Sequence, residues 1–290
     1  MDTADAPLIA ATRRMWQAIE PIHMSVYFAP EPADDARRIG LRGYWMGYFA
    51  GRLAPLGAVP AQAATAVLYV FAPTMVERAI PDAWQYAKPH DVVTSRITSA
   101  ASALRRQFLQ PDLARFELLA DLLWEAVSGC PFDGRPLAAA WSQIPRPDDP
   151  VAAAWLAATI VREHRGEGHV LAAVAAGLRG IEAALTHAGT GAITLDTLQR
   201  SRGWDHAQLK ASTSSLTARG LVDDNGQLTS KGQALRHGIE HKTDQLASAP
   251  ARHLGEDLVQ RVIDVAAPLS RQLIDSGLVP VPNPAGASRP

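Results

Sequence analysis

Apolar residues return every three or four positions along most of the chain, and prolines and glycines interrupt them, the pattern of amphipathic helices joined by turns. In the first 187 residues this predicts helices over 7–20, 34–53, 60–71, 74–86, 90–108, 112–127, 136–143, 149–165 and 168–187. No stretch among them alternates apolar and polar residues as a half-buried strand does. Helices this numerous on short links predict an all-α bundle. The link IPRPDDP at 144–150 is the richest in proline before the end of the chain and divides the bundle into two halves, 1–143 and 149–187. Gly51 and Arg52 ahead of Pro60 are set out much as Gly134 and Arg135 are ahead of Pro145, an arrangement that a worn duplication would leave.

The pattern changes after the loop at 188–191. A short apolar lead-in, Ala192 and Ile193, meets Thr194, which caps a brief helix ending near Ser201 and carrying Leu195 and Leu198. Arg202-Gly203-Trp204 breaks it. A second helix is predicted over 205–219, with Leu209, Thr213, Leu216 and Ala218 near helical spacing and Gly220 as a left-handed stop. Leu221 and Val222, the turn DDNG at 223–226 and residues 227–229 then read as a two-stranded ribbon. Thr229 caps a long helix over 229–248, and a second follows over 253–276 whose apolar stripe from Leu254 to Leu273 suits a subunit interface.

This order of helix, turn, helix, hairpin and long helix resembles the MarR type of winged-helix regulator, most closely in LTARGLV at 216–222 and LTSKGQAL at 228–235. The wider sequence resembles a family of actinobacterial proteins labelled helix-turn-helix. Its marks here are YFAPE at 27–31, GYWMGYFAGR at 43–52, RAIPDAW at 78–84 and REHRGEGH at 162–169. The expected fold class is therefore mainly α, an N-terminal multi-helix bundle followed by a winged helix-turn-helix with a small β-hairpin wing. The expected domains are a helical ligand-binding or sensory unit over 1–187, a winged helix with C-terminal dimerisation helices over 188–276, and a disordered tail over 277–290, where Pro, Gly and Ser dominate. The resemblance implies operator DNA as a partner and leaves the biochemical role open.

Composition narrows the setting. With 28 basic and 29 acidic residues the net charge is -1, so any affinity for nucleic acid has to come from a local patch. One cysteine, Cys130, rules out an intramolecular disulfide and a cysteine-rich zinc site, and a reducing, cytoplasmic location is expected. Residues 1–8 do not read as a signal peptide, and no apolar run reaches the roughly 18 residues of a spanning helix, so no membrane association is expected.

Two clusters carry candidate chemistry. Gly43, Gly47 and Gly51, four apart on one helix, clear a stripe of side chains at about 1 kcal/mol each in helix propensity. Either another helix packs closely there, or the stripe is the wall of a pocket for a flat aromatic ligand, rimmed by Tyr44, Trp45 and Tyr48. The second cluster is REHRGEGH. Gly166 and Gly168 predict a helix break that gathers His164, His169, Glu163 and Glu167 at one junction, with His23 and Tyr27 of the first helix placed to converge on it. Charged helix ends, an organic-ligand pocket, and a metal or haem site all suit such a junction, although its spacing matches no established ligand motif. There is no phosphate loop, GxSxG elbow or HExxH, so no catalytic residue, metal ligand or cofactor is assigned.

On the predicted reading helix Gln208, Lys210, Ser212, Ser214 and Arg219 could meet DNA, with Arg202 from the preceding turn. The charge is thin. Residues 189–248 hold seven basic and six acidic side chains, and Asp223 and Asp224 occupy the wing tip. Two functions follow: a ligand-responsive winged-helix regulator that binds a small aromatic molecule and acts as a homodimer on DNA, or a small-molecule-, haem- or metal-binding protein or enzyme whose winged helix no longer binds DNA.

Overall fold

The computed structural model describes residues 6–108, 113–283 and 286–290; the predicted helix start at 112 and part of the predicted tail, 284–285, lie outside them. The helices are α1 (Ala6–Phe28), α2 (Pro30–Arg38), α3 (Gly43–Leu53), α4 (Ala61–Val67), α5 (Pro73–Glu77), α6 (Ala83–Tyr86), α7 (Pro89–Gln107), α8 (Leu113–Ser128), α9 (Pro136–Ser142), α10 (Pro150–Ala175), α11 (Gly180–Ala188), α12 (Leu195–Arg202), α13 (His206–Ala218), α14 (Ser230–Leu246) and α15 (Ala249–Asp275), with a 3-10 turn at Ala54–Leu56.

Helix α10 is the axis of the bundle. Every residue from Val151 to Val161 is buried, where a surface helix would bury one stripe. Alanines at 152, 153, 154, 157 and 158 let α1, α7, α8 and α9 approach it from different sides. Asp149 caps its first turn by accepting from the backbone of Val151 and Ala152, and Pro150 supplies a first residue that needs no donor.

The predicted break at 166–168 is absent: α10 runs on to Ala175 and stops at Gly177, whose φ of 75° is left-handed. Gly166 and Gly168 lie inside the helix. A Cβ on Gly168 would meet Leu246 Cβ at 3.4 Å and Arg135 Nη2 at 3.6 Å. The predicted helix 34–53 is in fact two, because Gly40 and Gly43, at φ 98° and 72°, turn the chain between α2 and α3. Helix α1 continues beyond Glu20 through Pro21, held between α10 and α15.

The largest departure from expectation is at the C-terminus. The apolar stripe of α15, foreseen as a dimer face, lies along α1 and α8 of the same chain, with Val259, Val262, Ala266 and Leu273 buried and Ser270 donating to the Ala18 carbonyl. Apolar burial therefore does not divide the chain at 187: one cluster joins residues 11–161 to 251–287, and a second joins the end of α10, α11 and the helix-turn-helix. The segment after Gly277, expected to be disordered, has Val279, Asn283 and Ala287 buried and a two-bond ion pair from Arg289 to Asp275 at 2.8 Å.

In the second cluster Thr194, Asp205 and Thr229 cap α12, α13 and α14, each worth about 1 kcal/mol. Gly203 and Gly220 stop α12 and α13 at φ 76° and 68°. The expected ribbon reduces to one antiparallel bridge between Val222 and Leu228, and no strand forms among the described residues. No single described helix is long and apolar enough to cross a membrane.

Candidate functional site

Helix α3 separates two cavities. The first, of about 270 Å³, opens on the glycine stripe: Gly43, Gly47 and Gly51 form one wall, Ala33 and Ala36 of α2 another, and Val92, Ser95, Arg96 and Ser99 of α7 a third. Close helix packing accounts for part of the stripe only. Helix α2 packs close enough that a Cβ on Gly47 would lie 3.1 Å from Ala36 Cβ, whereas one on Gly43 would meet nothing within 4 Å.

Of the aromatics named from sequence, Tyr27, Tyr44 and Tyr48 line this cavity. Trp45 lines neither cavity; it packs inward against Phe49 and Phe71, with ring centroids 5.7 and 6.0 Å away. Behind the wall stands His23, fully buried. Thr159 gives its hydroxyl proton to the Trp155 carbonyl and so accepts from His23 Nδ1 at 2.9 Å, which leaves His23 Nε2 to accept from the Tyr27 hydroxyl at 3.0 Å. Burial, then the charges of Arg162, Arg96 and Arg52, holds His23 well below the usual histidine range. Burial and neighbouring Tyr48 push the Tyr27 phenol up to about 12. The pair is a neutral, oriented support for the cavity.

Arg96 is what sequence reading missed. It is 7 % exposed, its guanidinium lies over the rings of Tyr27 and Trp155 at 5.2 and 5.8 Å, and its Nε has no hydrogen-bond partner. The signal was present, since Val92, Arg96, Ser99 and Ala103 follow the buried stripe of α7 and a cation in such a stripe is exceptional.

The second cavity, of about 430 Å³, lies between the bundle and the helix-turn-helix and is ionic. Glu163 is its centre, 2.9 Å from both Arg52 and Arg162, and Arg162 also meets Glu20 at 3.3 Å. Burial raises the Glu163 pKa, but Arg162 and Arg52 outweigh it and the carboxyl lies below its ordinary value. Arg165 and Arg13 converge on Asp244 at 2.6 and 2.7 Å, and Arg236 meets Glu240 at 3.3 Å. Glu167 accepts from the backbone of Leu137 and Ala138 and so caps α9.

His164 and His169 do not converge. On one continuous helix five positions separate them by about 140° around the axis. His164 is buried beside Phe132 and Arg135, and burial followed by the Arg135 charge lowers it to about 4. His169 lines the ionic cavity and donates from Nδ1 to Thr243 at 3.0 Å, since Thr243 itself donates to Ile239. Among the described residues no three His, Cys, Asp or Glu side chains gather as a metal site requires.

The candidate DNA face is sparser than its sequence. Ser212 shares the inner face of α13 with Leu209 and Leu216 and is 4 % exposed, so it is unavailable to DNA. Arg202 is turned onto the bundle, 4.8 Å over Phe71, and Arg219 is held by Glu182 at 3.5 Å. Gln208 is exposed, yet its side chain accepts from the Asp205 backbone and completes the capping box of α13. Lys210 and Ser214 are exposed without such ties. In the turn at 223–226 Asp223 Oδ1 accepts from the backbone of Asn225 and Gln227 at 2.9 Å, which ties that oxygen to the turn, and Lys231 donates to the Arg219 carbonyl at the end of α13.

The turn between α12 and α13 is also a dock. Trp204 Nε1 donates to the Val70 carbonyl at 2.9 Å, the Ala72 amide donates to the Arg202 carbonyl at 2.8 Å, and a Cβ on Gly203 would sit 2.7 Å from Met75. At the start of α11 a Cβ on Gly180 would lie 1.7 Å from the Tyr69 carbonyl oxygen. Segment 69–75 therefore carries the helix-turn-helix, and Phe71 within it contacts Tyr48 of the glycine cavity at 5.7 Å.

Compared with known families, residues 12–280 match a profile described as a helix-turn-helix family, a match that takes in the bundle as well as α12 and α13. No curated protein and no solved structure matches the chain.

Proposed function

The chain belongs to the helix-turn-helix family, and from that premise we propose that it is a winged-helix, MarR-like transcription regulator in which occupancy of the glycine cavity controls binding to operator DNA. The observation that carries this reading is the double use of the turn at 202–204: it sets the angle between α12 and α13, and it is the dock on the bundle. Tyr48 of the cavity touches Phe71, and Phe71 lies beneath Arg202 of that turn. A ligand that moves Tyr48 acts on the ring that holds the reading helix. His206, Lys210 and Ser214 are polar side chains of α13 open to DNA; Gln208 would have to leave its cap. Two copies on a palindromic site would double these contacts, using a surface other than the apolar face of α15.

Retardation of genomic fragments at low salt tests the reading. Wild-type protein should retard at least one fragment, and Lys210→Ala should flatten the log-log salt dependence by about one unit for the lost phosphate contact. No retardation of any fragment rejects the regulator.

A second reading has its own support. Arg200, Arg202, Arg219, Lys231 and Arg236 of the helix-turn-helix unit are already engaged with partners in the chain. A winged helix kept as a scaffold for a small-molecule-binding bundle would look the same, and would bind ligand with no affinity for DNA.

A further inference from the structure

Arginines crowd the buried centre of this molecule, and two of them beside α3 share a carboxylate. Arg52 and Arg162 share Glu163, and Arg162 also holds Glu20. Among the described residues no carboxylate lies within ion-pair distance of Arg96, which is more than nine-tenths buried and lines the glycine cavity. A buried charge with no counter-charge is costly, and rings at 5.2 and 5.8 Å offset only part of that cost. A Cβ on Gly51 would fall 2.7 Å from Arg96 Nη1, so the guanidinium lies in the space that the last glycine of the stripe leaves open.

The space beside that cation is shaped. Gly43 and Gly47 leave a flat wall, Ala33 and Ala36 face it, and the tyrosine rings supply π surface at one side. A cavity of about 150 Å³ accommodates a benzene, so about 270 Å³ takes one ring and a short polar group.

We propose that the glycine cavity binds a small monocarboxylic acid bearing one ring, its carboxylate on the Arg96 guanidinium and its ring against the glycine stripe of α3. This rests on the reading of the cavity as the regulator's ligand pocket and names the class of ligand. The acid supplies the charge that the fold withholds, and the glycines supply the clearance its ring requires. A neutral amide of the same shape fits the space and leaves the cation unpaired.

The test uses the full chain and matched probes: benzoate, phenylacetate and 3-phenylpropionate, each against its amide, by isothermal calorimetry and thermal unfolding. At least one acid should bind and raise the unfolding midpoint, and its amide should not. Arg96→Gln should bind that acid roughly 10- to 100-fold more weakly. Without ligand the same variant should unfold at or above the wild-type midpoint, a sign that a merely structural arginine would not give. Failure of all three acids, equal binding of acid and amide, or undiminished binding by Arg96→Gln overturns the proposal; the acid-against-amide comparison needs no variant to fold. DNA retardation is recorded in the same samples. Acid binding without any retardation leaves the site standing and removes the regulator, whereas retardation without acid binding does the reverse.

Discussion

The two cavities on either side of α3 share Tyr48 as a wall and both contain buried arginines, yet they treat charge in opposite ways. In the ionic cavity Glu163 serves Arg52 and Arg162, Asp244 serves Arg13 and Arg165, and Glu240 serves Arg236. Each of these carboxylates is matched by arginines of the same chain. In the glycine cavity Arg96 has aromatic rings and no carboxylate. The contrast separates charge that holds a fold together from charge left available to a ligand, and it does so by pairing, since Arg165 of the ionic cavity and Arg96 of the glycine cavity are buried alike.

The largest effect expected from this contrast is in the ionic cavity. Glu163→Ala leaves Arg52 without a carboxylate and Arg162 with Glu20 alone, and should cost about 3–5 kcal/mol in urea unfolding at neutral pH. A cost below about 1 kcal/mol would mean that the two cavities do not differ as argued. Next in size is Gly47→Leu, whose added atoms begin 3.1 Å from Ala36 and continue into the glycine cavity. A loss of about 1–3 kcal/mol is expected, together with loss of acid binding by calorimetry. A variant as stable as wild type that still binds would detach the stripe from the site.

A smaller effect comes from pH. Burial lowers His187, which lines the ionic cavity, and His164, behind it, to about 4 each. The unfolded chain takes up these protons near pH 6.5 and the folded chain refuses them, so stability should fall as pH drops from about 6.5 toward about 4. His164→Phe and His187→Phe should each flatten that decline in thermal melts across the window, and an unchanged slope would contradict the burial of the two rings. The smallest effect lies outside both cavities. Lys210→Ala should leave the unfolding midpoint within about 0.5 kcal/mol of wild type and change only the salt dependence of DNA retardation. A destabilised variant would show Lys210 to be part of the fold.

Much of the local structure was legible. Thr194, Asp205 and Thr229 announced their helices because a cap needs only its own next turn, and Gly203 and Gly220 announced their stops because a positive φ excludes most other residues. The glycine stripe was legible as a cleared face, and of the expected rim Tyr44 and Tyr48 line a cavity there while Trp45 does not; Tyr27, expected at the 162–169 junction, lines it instead. The stripe could not say which cation sat on it, because Arg96 arrives from a different helix. The junction at 162–169 misled because glycine inside a helix reads as a break; here α10 continues through both glycines, and a Cβ on Gly168 would make ordinary contact with Leu246 and Arg135. For the DNA face, sequence listed polar residues on α13, while burial of Ser212 and the turning of Arg202 onto Phe71 depended on where the bundle lay.

By itself the sequence determined the mainly helical class of the chain, the caps of α12, α13 and α14, the stops of α12 and α13, and the order of elements that makes a helix-turn-helix, since each follows from backbone preferences within a few neighbouring residues. Tertiary structure decided the rest. Glu163 stands 111 positions from Arg52, and Ser270 stands 252 from Ala18, so neither the ionic network nor the return of α15 onto α1 has any local trace. An amphipathic stripe records that a face is buried and carries no record of what covers it. For the same reason a lone arginine in such a stripe reveals its meaning only when the described residues around it are seen in place.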